Sequence, residues 1–261
     1  MHIFPNQGSM QLAEEQWYSI ELGDLLFYIM KSENIYSIAT DYQPAKAPSL
    51  FKAITPISHL PDSVEIKQKI YSADDERPYL SLQLADKPYE VNPAADINIA
   101  PHAKLILYVS TPVWLQINTQ GENLCLAEYP TVSPRLSWVG ASTTEGSLCY
   151  STDSTAPSVF SQVKHNYHRA LTALELINDG NKPIKIDRLS LPLPILSLYR
   201  TTQDSFWTES VRYRIHPESG ETTVVAGSKP PEEVGETTKI ASARDTSKTS
   251  RFRTAMNLIL G

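Results

Sequence analysis

Apolar and polar residues alternate with a period of two along several stretches of this chain. Val64, Ile66 and Ile70 alternate with charged residues, and the pattern recurs at 80–84 and 211–215. Because successive side chains of a strand point to opposite faces of a sheet, this pattern is typical of half-buried antiparallel strands. It predicts an all-β protein.

The longest alternating run covers residues 105–117 and is interrupted by Pro112. A proline cannot donate a hydrogen bond to a neighbouring strand, so it is confined to edge strands, strand ends and bulges. The run therefore predicts either an edge strand or two strands that meet at a kink. The 19 prolines of the chain, against 10 glycines, also disfavour long helices.

Turn residues separate the predicted strands. The sequence Asn-Asp-Gly-Asn at 178–181 lies between two apolar runs and predicts a β-hairpin, because these residues tolerate positive φ. After this turn the parity of the apolar residues changes, which predicts a bulge near Asp187. Residues 23–24 and 31–34 predict two further turns.

These patterns together predict an antiparallel β-sandwich and favour two β units over one body. We expect a smaller β unit at 1–94, a main sandwich at 95–217 and an extended tail at 218–261, which has few large apolar residues before residue 251. Phe252, Met256 and Ile259 recur at helical spacing. They predict a short amphipathic helix over 251–260 at the end of the tail.

Several segments, read in order, carry a family resemblance. They are the Pro-Ile and Leu-Pro pairs at 56–57 and 60–61, LILYVSTPVWLQI at 105–117, PRLSWVGASTTEGSLCY at 134–150, ALTALELINDGNKPIKIDRLSLPLP at 170–194 and LSLY at 196–199. Over about residues 55–215 the chain resembles the uncharacterised prokaryotic family called domain of unknown function 432. The resemblance implies an all-β domain and assigns no activity or site.

Composition narrows the classes of function. The formal net charge is −6, so a broad basic surface for nucleic acid or anionic lipid is not expected. The longest apolar run has six residues, 25–30, against the ~20 of a membrane-spanning helix. No lysine or arginine precedes Lys31, so no secretory signal is expected and we place the chain in the cytoplasm. Cys125 and Cys149 are then expected to be reduced thiols.

The sequence carries no motif that points to an enzyme or a cofactor. It has no H-E-x-x-H, no paired C-x-x-C, no phosphate-binding glycine loop and no dinucleotide fingerprint. His165 and His168 would face opposite sides of a strand, which disfavours chelation of a metal. Arg212, Arg214 and His216 share one strand face, which indicates a solvated charged stripe more than an anion site.

Two turn-rich segments, 133–150 and 200–210, are the predicted ligand or partner surface, because each combines tryptophan with ionisable residues. We interpret the chain as a non-catalytic binding or protein-interaction module of the cytoplasm for an unknown protein or small ligand, with self-association through a sheet edge or the terminal helix left open. The alternative is a carbohydrate-binding or carbohydrate-processing sandwich that uses tryptophan-rich loops. The candidate residues are Arg135, Trp138, Glu145, Tyr150, Trp207 and Glu209.

Overall fold

The computed structural model describes residues 10–44, 52–70, 78–119, 125–140, 146–246 and 251–255. This part of the chain is all-β, as the alternating pattern predicts, and most strand pairs are antiparallel. Short 3-10 helices lie at Phe160–Gln162, Leu193–Ile195 and Glu232–Val234. No helix in the described ranges is long enough or apolar enough to cross a membrane. The strands are β1 (Trp17–Leu22), β2 (Leu25–Ser32), β3 (Ile35–Tyr42), β4 (Lys52–Ile57), β5 (Ile66–Ile70), β6 (Pro78–Gln83), β7 (Tyr89–Pro93), β8 (Ile97–Ile99), β9 (Lys104–Pro112), β10 (Trp114–Thr119), β11 (Cys125–Pro130), β12 (Arg135–Gly140), β13 (Gly146–Ser154), β14 (Arg169–Asn178), β15 (Ile184–Ile186), β16 (Leu189–Leu191), β17 (Leu198–Thr201), β18 (Phe206–Trp207), β19 (Val211–His216), β20 (Glu221–Ala226), β21 (Thr237–Ala241) and β22 (Arg251–Ala255).

The chain divides into two compact units that interleave along the sequence. The first unit comprises Met1–Gln83, Val113–Ser133 and Asn166–His168, and the second comprises Leu84–Pro112, Pro134–His165 and Arg169–Gly261. The predicted division, at 1–94, 95–217 and 218–261, consists of consecutive segments, whereas each of the two units combines three separate segments. Interleaving of this kind leaves no trace in local periodicity, because it depends on contacts between segments that are far apart in the chain.

The first unit contains a five-stranded sheet in the order β4-β1-β2-β3-β5 and a three-stranded sheet in the order β11-β10-β6. Tight turns join β1 to β2 and β2 to β3. Gly23 has φ of 65° in the first turn and Glu33 has φ of 52° in the second. Both predicted turns, at 23–24 and at 31–34, are therefore confirmed.

Pro112 marks the boundary between two strands. β9 ends at Pro112 and β10 begins at Trp114, and the two strands belong to different units. Of the two interpretations of the long run at 105–117, the pair of strands is confirmed. β9 pairs with β14 along its whole length, and Pro112 is its last residue, a strand end at which proline is tolerated.

The second unit contains three sheets. β14 lies inside the eight-stranded sheet, whose path runs β21-β17-β18-β14-β19-β20-β22 with β9 paired to β14 as well. The four-stranded sheet has the order β12-β13-β7-β16, and β15 and β8 form a two-stranded sheet. On the eight-stranded sheet, Tyr108, Leu171, Ala173 and Trp207 form a buried cluster.

Two local predictions around residue 180 are wrong. The strands that flank the turn at 178–181 do not form a hairpin, because β15 pairs with β8 while β14 pairs with β9, β18 and β19. The buried Asn178 amide donates hydrogen bonds to the carbonyl oxygens of Ala100 and Lys182, 3.0 and 2.8 Å away, and so holds the turn to the end of β8. The bulge expected near Asp187 is a break between β15 and β16, which lie in different sheets.

The end of the chain also differs from the expectation. Residues 251–255, the first half of the predicted helix, form β22, which pairs with β20, while 256–260 lie outside the described residues. The stretch expected to be an extended tail contains β20 and β21. A helix of ten residues is marginal in water, whereas pairing with β20 gives hydrogen-bond partners to the backbone groups on one side of β22.

Candidate interaction surface at the β12 edge

The strongest candidate for a functional surface is the hairpin formed by β12 and β13. β12 is the outer strand of the four-stranded sheet, and no strand of the described chain pairs with its outer side. Three large apolar side chains on this hairpin are exposed: Leu136 by 65%, Trp138 by 44% and Leu148 by 44%. Only two other large apolar residues in the described ranges are as exposed, and neither lies on this hairpin: Ile66 and Val159.

The exposed side chains share one face of the sheet. Trp138 lies directly opposite Leu148, and Leu136 lies opposite Tyr150. Directly opposed residues in an antiparallel pair point to the same side, and Leu136 and Trp138 are two residues apart. We call Leu136, Trp138 and Leu148 the β12 patch.

Burial rises steeply from the β12 patch into the sheet. Tyr150 is opposite Tyr89 of β7, and Tyr89 is opposite Leu191 of β16. Their exposed fractions are 6%, 1% and 0%, against 65% for Leu136 at the edge of the same row. The patch is therefore the uncovered continuation of a packed apolar row.

Tyr150 anchors the base of the hairpin. Its hydroxyl donates a hydrogen bond of 2.9 Å to an oxygen of Asp86, and the Lys87 ammonium lies 5.3 Å from the centre of its ring. Burial raises the pKa of the Tyr150 hydroxyl, and so does the hydrogen bond to the Asp86 carboxylate. β7 pairs with β13 only from Tyr150 onward. The half of the hairpin beyond Tyr150 thus extends past its neighbour in the sheet.

Arg135 supplies the only charged side chain of β12. Its guanidinium contacts Asp153 of β13 at 2.8 Å, and both side chains are well exposed. The hydrogen bond from Arg135 holds the pKa of the Asp153 carboxyl below its usual range. An exposed pair of this kind adds little stability, but it neutralises the one charge on the edge strand.

The opposite face of the four-stranded sheet carries a carboxylate, Glu90 on β7, and a thiol, Cys149 on β13. The thiol does not have the properties of a nucleophile. Glu90 is paired with Arg188 at 3.2 Å and accepts a hydrogen bond of 3.5 Å from the Ser137 hydroxyl. Burial raises the pKa of the Cys149 thiol, and the negative charge of Glu90 acts in the same direction. A thiol with a raised pKa stays protonated and unreactive at neutral pH.

The other predicted site residues lie away from the β12 patch. Trp207 on β18 is 1% exposed and belongs to the core of the eight-stranded sheet. Glu209 is 7% exposed, and it accepts hydrogen bonds from the backbone N–H of Ser197 at 2.7 Å and from the Tyr199 hydroxyl at 3.1 Å. Glu145 lies outside the described residues. Leu136 and Leu148 complete the patch but were not among the predicted residues.

The basic stripe on β19 is matched by carboxylates. Arg212 is paired with Glu175, Arg214 contacts Asp179 at 3.0 Å, and His216 lies 3.6 Å from the same carboxylate. The positive charges are thus compensated within the protein, as expected of a solvated stripe. Across the described ranges, no group of three or more His, Cys, Asp or Glu side chains could hold a metal ion.

Both cysteines are free thiols in the structure, with Cys125 exposed and Cys149 buried. We expect thiol titration of protein purified without reductant, and then unfolded, to count two reactive groups per chain. A count of zero would mean that the two sulfurs form a disulfide, and it would contradict both this state and the cytoplasmic expectation. Titration before unfolding should count one, because Cys149 is inaccessible.

Comparison with known proteins gives a family and no close relative. Neither the curated proteins nor the solved structures contain a match to this chain. A family model described as "Protein of unknown function (DUF432)" matches residues 8–259, a wider range than the 55–215 of the resemblance in the sequence. The match covers nearly the whole chain, and the protein therefore belongs to the DUF432 family.

Proposed function

We propose that this protein is a non-catalytic interaction module that binds an extended polypeptide segment along the outer edge of β12. One observation carries the proposal: Leu136 and Trp138 are exposed at alternate positions of an edge strand to which no described strand is paired on the outer side. An edge strand presents backbone donors and acceptors to a further strand, and side chains at alternate positions select the partner.

The composition of β12 supports this role. Natural sheets protect their edges with charged side chains, above all lysine, and with proline, bulges or very short strands. β12, Arg-Leu-Ser-Trp-Val-Gly, has no lysine or proline and pairs with β13 without a register shift, and its one charge, on the first residue Arg135, is paired with Asp153. A regular edge whose remaining residues are uncharged favours the addition of a strand.

Selection from a random peptide library displayed on phage tests the proposal. We expect the protein to enrich peptides with apolar residues at alternate positions, and the variant Trp138→Lys to lose at least about tenfold in affinity for them, a difference of 1.4 kcal/mol. The physical reason is that a lysine at this position lacks the apolar contact that the indole ring makes, and that burying the charge of the lysine under a bound peptide is unfavourable.

Ile66→Lys on β5 provides the matched control. Ile66 is an exposed apolar residue at another sheet edge, so this variant should retain the peptides with unchanged affinity. Failure to enrich any peptide, or equal binding by the Trp138→Lys variant, would count against the β12 edge as the binding surface.

Three finer features belong to the same proposal. The carbohydrate alternative has less support, since Trp207 is buried and both carboxylate oxygens of Glu209 already accept hydrogen bonds. A cytoplasmic location is supported by the free thiols.

Packing of the two larger sheets of the second unit as a sandwich is supported by the Tyr213 hydroxyl of β19, which donates a 2.6 Å hydrogen bond to the Ser190 carbonyl of β16.

A further inference from the structure

We infer that the segment bound at the β12 edge is β12 of a second copy of this chain, in antiparallel orientation with Ser137 on the two-fold axis. The inference rests on the proposed function, because it names the partner of the same surface. In this register Leu136 of each copy lies opposite Trp138 of the other, and Arg135 lies opposite Val139. Such self-complementary contacts are what a two-fold interface requires.

The register would continue the packed row on one face of the sheet. Within one copy, Leu148 is opposite Trp138, and Leu136 is opposite Tyr150. When two copies are joined about Ser137, four side chains line up across the strands: Leu148 and Trp138 of one copy, then Leu136 and Tyr150 of the other. The two-fold axis generates an identical row next to it. Apolar and aromatic pairs across neighbouring strands are stabilising contacts in a sheet.

Charge or proline separates β12 from four other outer strands of the described chain, β4, β5, β21 and β22. The outer strands β6 and β16 carry no charge, but most of their side chains are buried, unlike those of β12. The only charge on β12 belongs to Arg135, which is already paired with Asp153 and would not face a like charge in this register. If β5 paired with itself about its central residue, Lys67 of one copy would lie opposite Lys69 of the other. If β21 did so, Lys239 would lie opposite Lys239 of the second copy. For β22 the opposed residue is Arg253, and β4 contains Pro56. Directly opposed like charges destabilise strand pairing.

The inferred contact is small, because it consists of one six-residue strand from each copy. Small interfaces give weak or transient association. We therefore expect a monomer–dimer equilibrium, with the average mass in sedimentation equilibrium rising from 29.2 kDa toward twice that value as the concentration of the full chain increases.

A charge-swap experiment tests the register. In the double variant Leu136→Lys/Trp138→Lys, lysines of the two copies oppose each other, and in Leu136→Glu/Trp138→Glu glutamates do. Each variant alone should dimerise at least about tenfold more weakly than the natural protein. An equimolar mixture should regain dimers, since every opposed pair then joins a lysine to a glutamate. Circular dichroism checks that both variants are folded, and Ile66→Lys serves as the control that leaves dimerisation unchanged.

Three outcomes would overturn the inference. They are a natural protein that remains monomeric at every concentration, a dimer that neither double variant weakens, and folded double variants whose mixture remains monomeric. The peptide selection separates these results from failure of the proposed function. Peptides that bind the natural protein but not Trp138→Lys, together with a monomeric natural protein, would leave the β12 edge as a binding surface for another polypeptide.

Discussion

Replacing Trp207 with alanine is expected to lower the free energy of unfolding by about 3–5 kcal/mol, the range for removal of a large aromatic side chain from a core. The ring is 1% exposed, stacks on Phe160 with centroids 5.9 Å apart, and meets Tyr108 edge-on at 6.2 Å. Its indole N–H also donates a hydrogen bond of 3.2 Å to the Ser205 hydroxyl. The substitution therefore leaves a cavity and removes one buried polar contact.

Trp138→Ala provides the matched control for this prediction. The same substitution at a side chain that is 44% exposed should cost only about half as much, ~1.5–2.5 kcal/mol, since nearly half of the side chain is already in water. Urea unfolding followed by circular dichroism measures both variants. Equal losses at the two positions would contradict the assignment of Trp207 to the core and of Trp138 to the surface.

Replacing Gly23 with alanine is expected to destabilise the protein for two reasons. A side chain at φ of 65° costs about 1–2 kcal/mol. The new Cβ would also lie 2.5 Å from the Thr131 carbonyl oxygen and 2.8 Å from the His168 ring, which adds ~1–3 kcal/mol of overpacking. The carbonyl cannot move away without cost, because it accepts a 2.8 Å hydrogen bond from the Asp24 N–H.

Gly220→Ala separates the two costs. Gly220 has φ of 68°, and a Cβ added there meets nothing within 4 Å. The Gly220→Ala substitution should therefore lower the free energy of unfolding only by the conformational cost of a side chain at positive φ, about 1–2 kcal/mol. Urea unfolding of both variants gives the difference, which measures the close approach at Gly23. If Gly23→Ala cost no more than Gly220→Ala, the packing of the turn against Thr131 and His168 would be refuted.

Local patterns in the sequence predicted most of the individual elements. The parity of apolar residues identified β5, β6 and β19, and the turns at 23–24 and 31–34 follow from the residues that occupy them. These features depend on neighbours a few positions apart, whose side-chain direction and φ preference act in any context. Pro112 is a further case, since proline is confined to strand ends, edges and bulges, and β9 ends at this residue.

Pairing between strands was not predictable in the same way. The turn at 178–181 has the composition of a hairpin, yet β15 pairs with β8 and β14 pairs with β9. Phe252, Met256 and Ile259 have helical spacing, but residues 251–255 add to β20 as a strand. In both places a long-range partner supplies hydrogen bonds that outweigh the local preference.

Local stereochemistry makes this a chain of strands, places its turns and fixes which side chains share a strand face, so these features can be predicted from the residues alone. Which of those faces is covered depends on contacts between distant segments. Trp138 and Trp207 both lie in strands next to polar residues, but β18 lies between β17 and β14, while β13 is the one strand in the described part of the chain that pairs with β12. Burial is set by what packs against a strand, so the same residue type forms core at Trp207 and a candidate binding edge at Trp138.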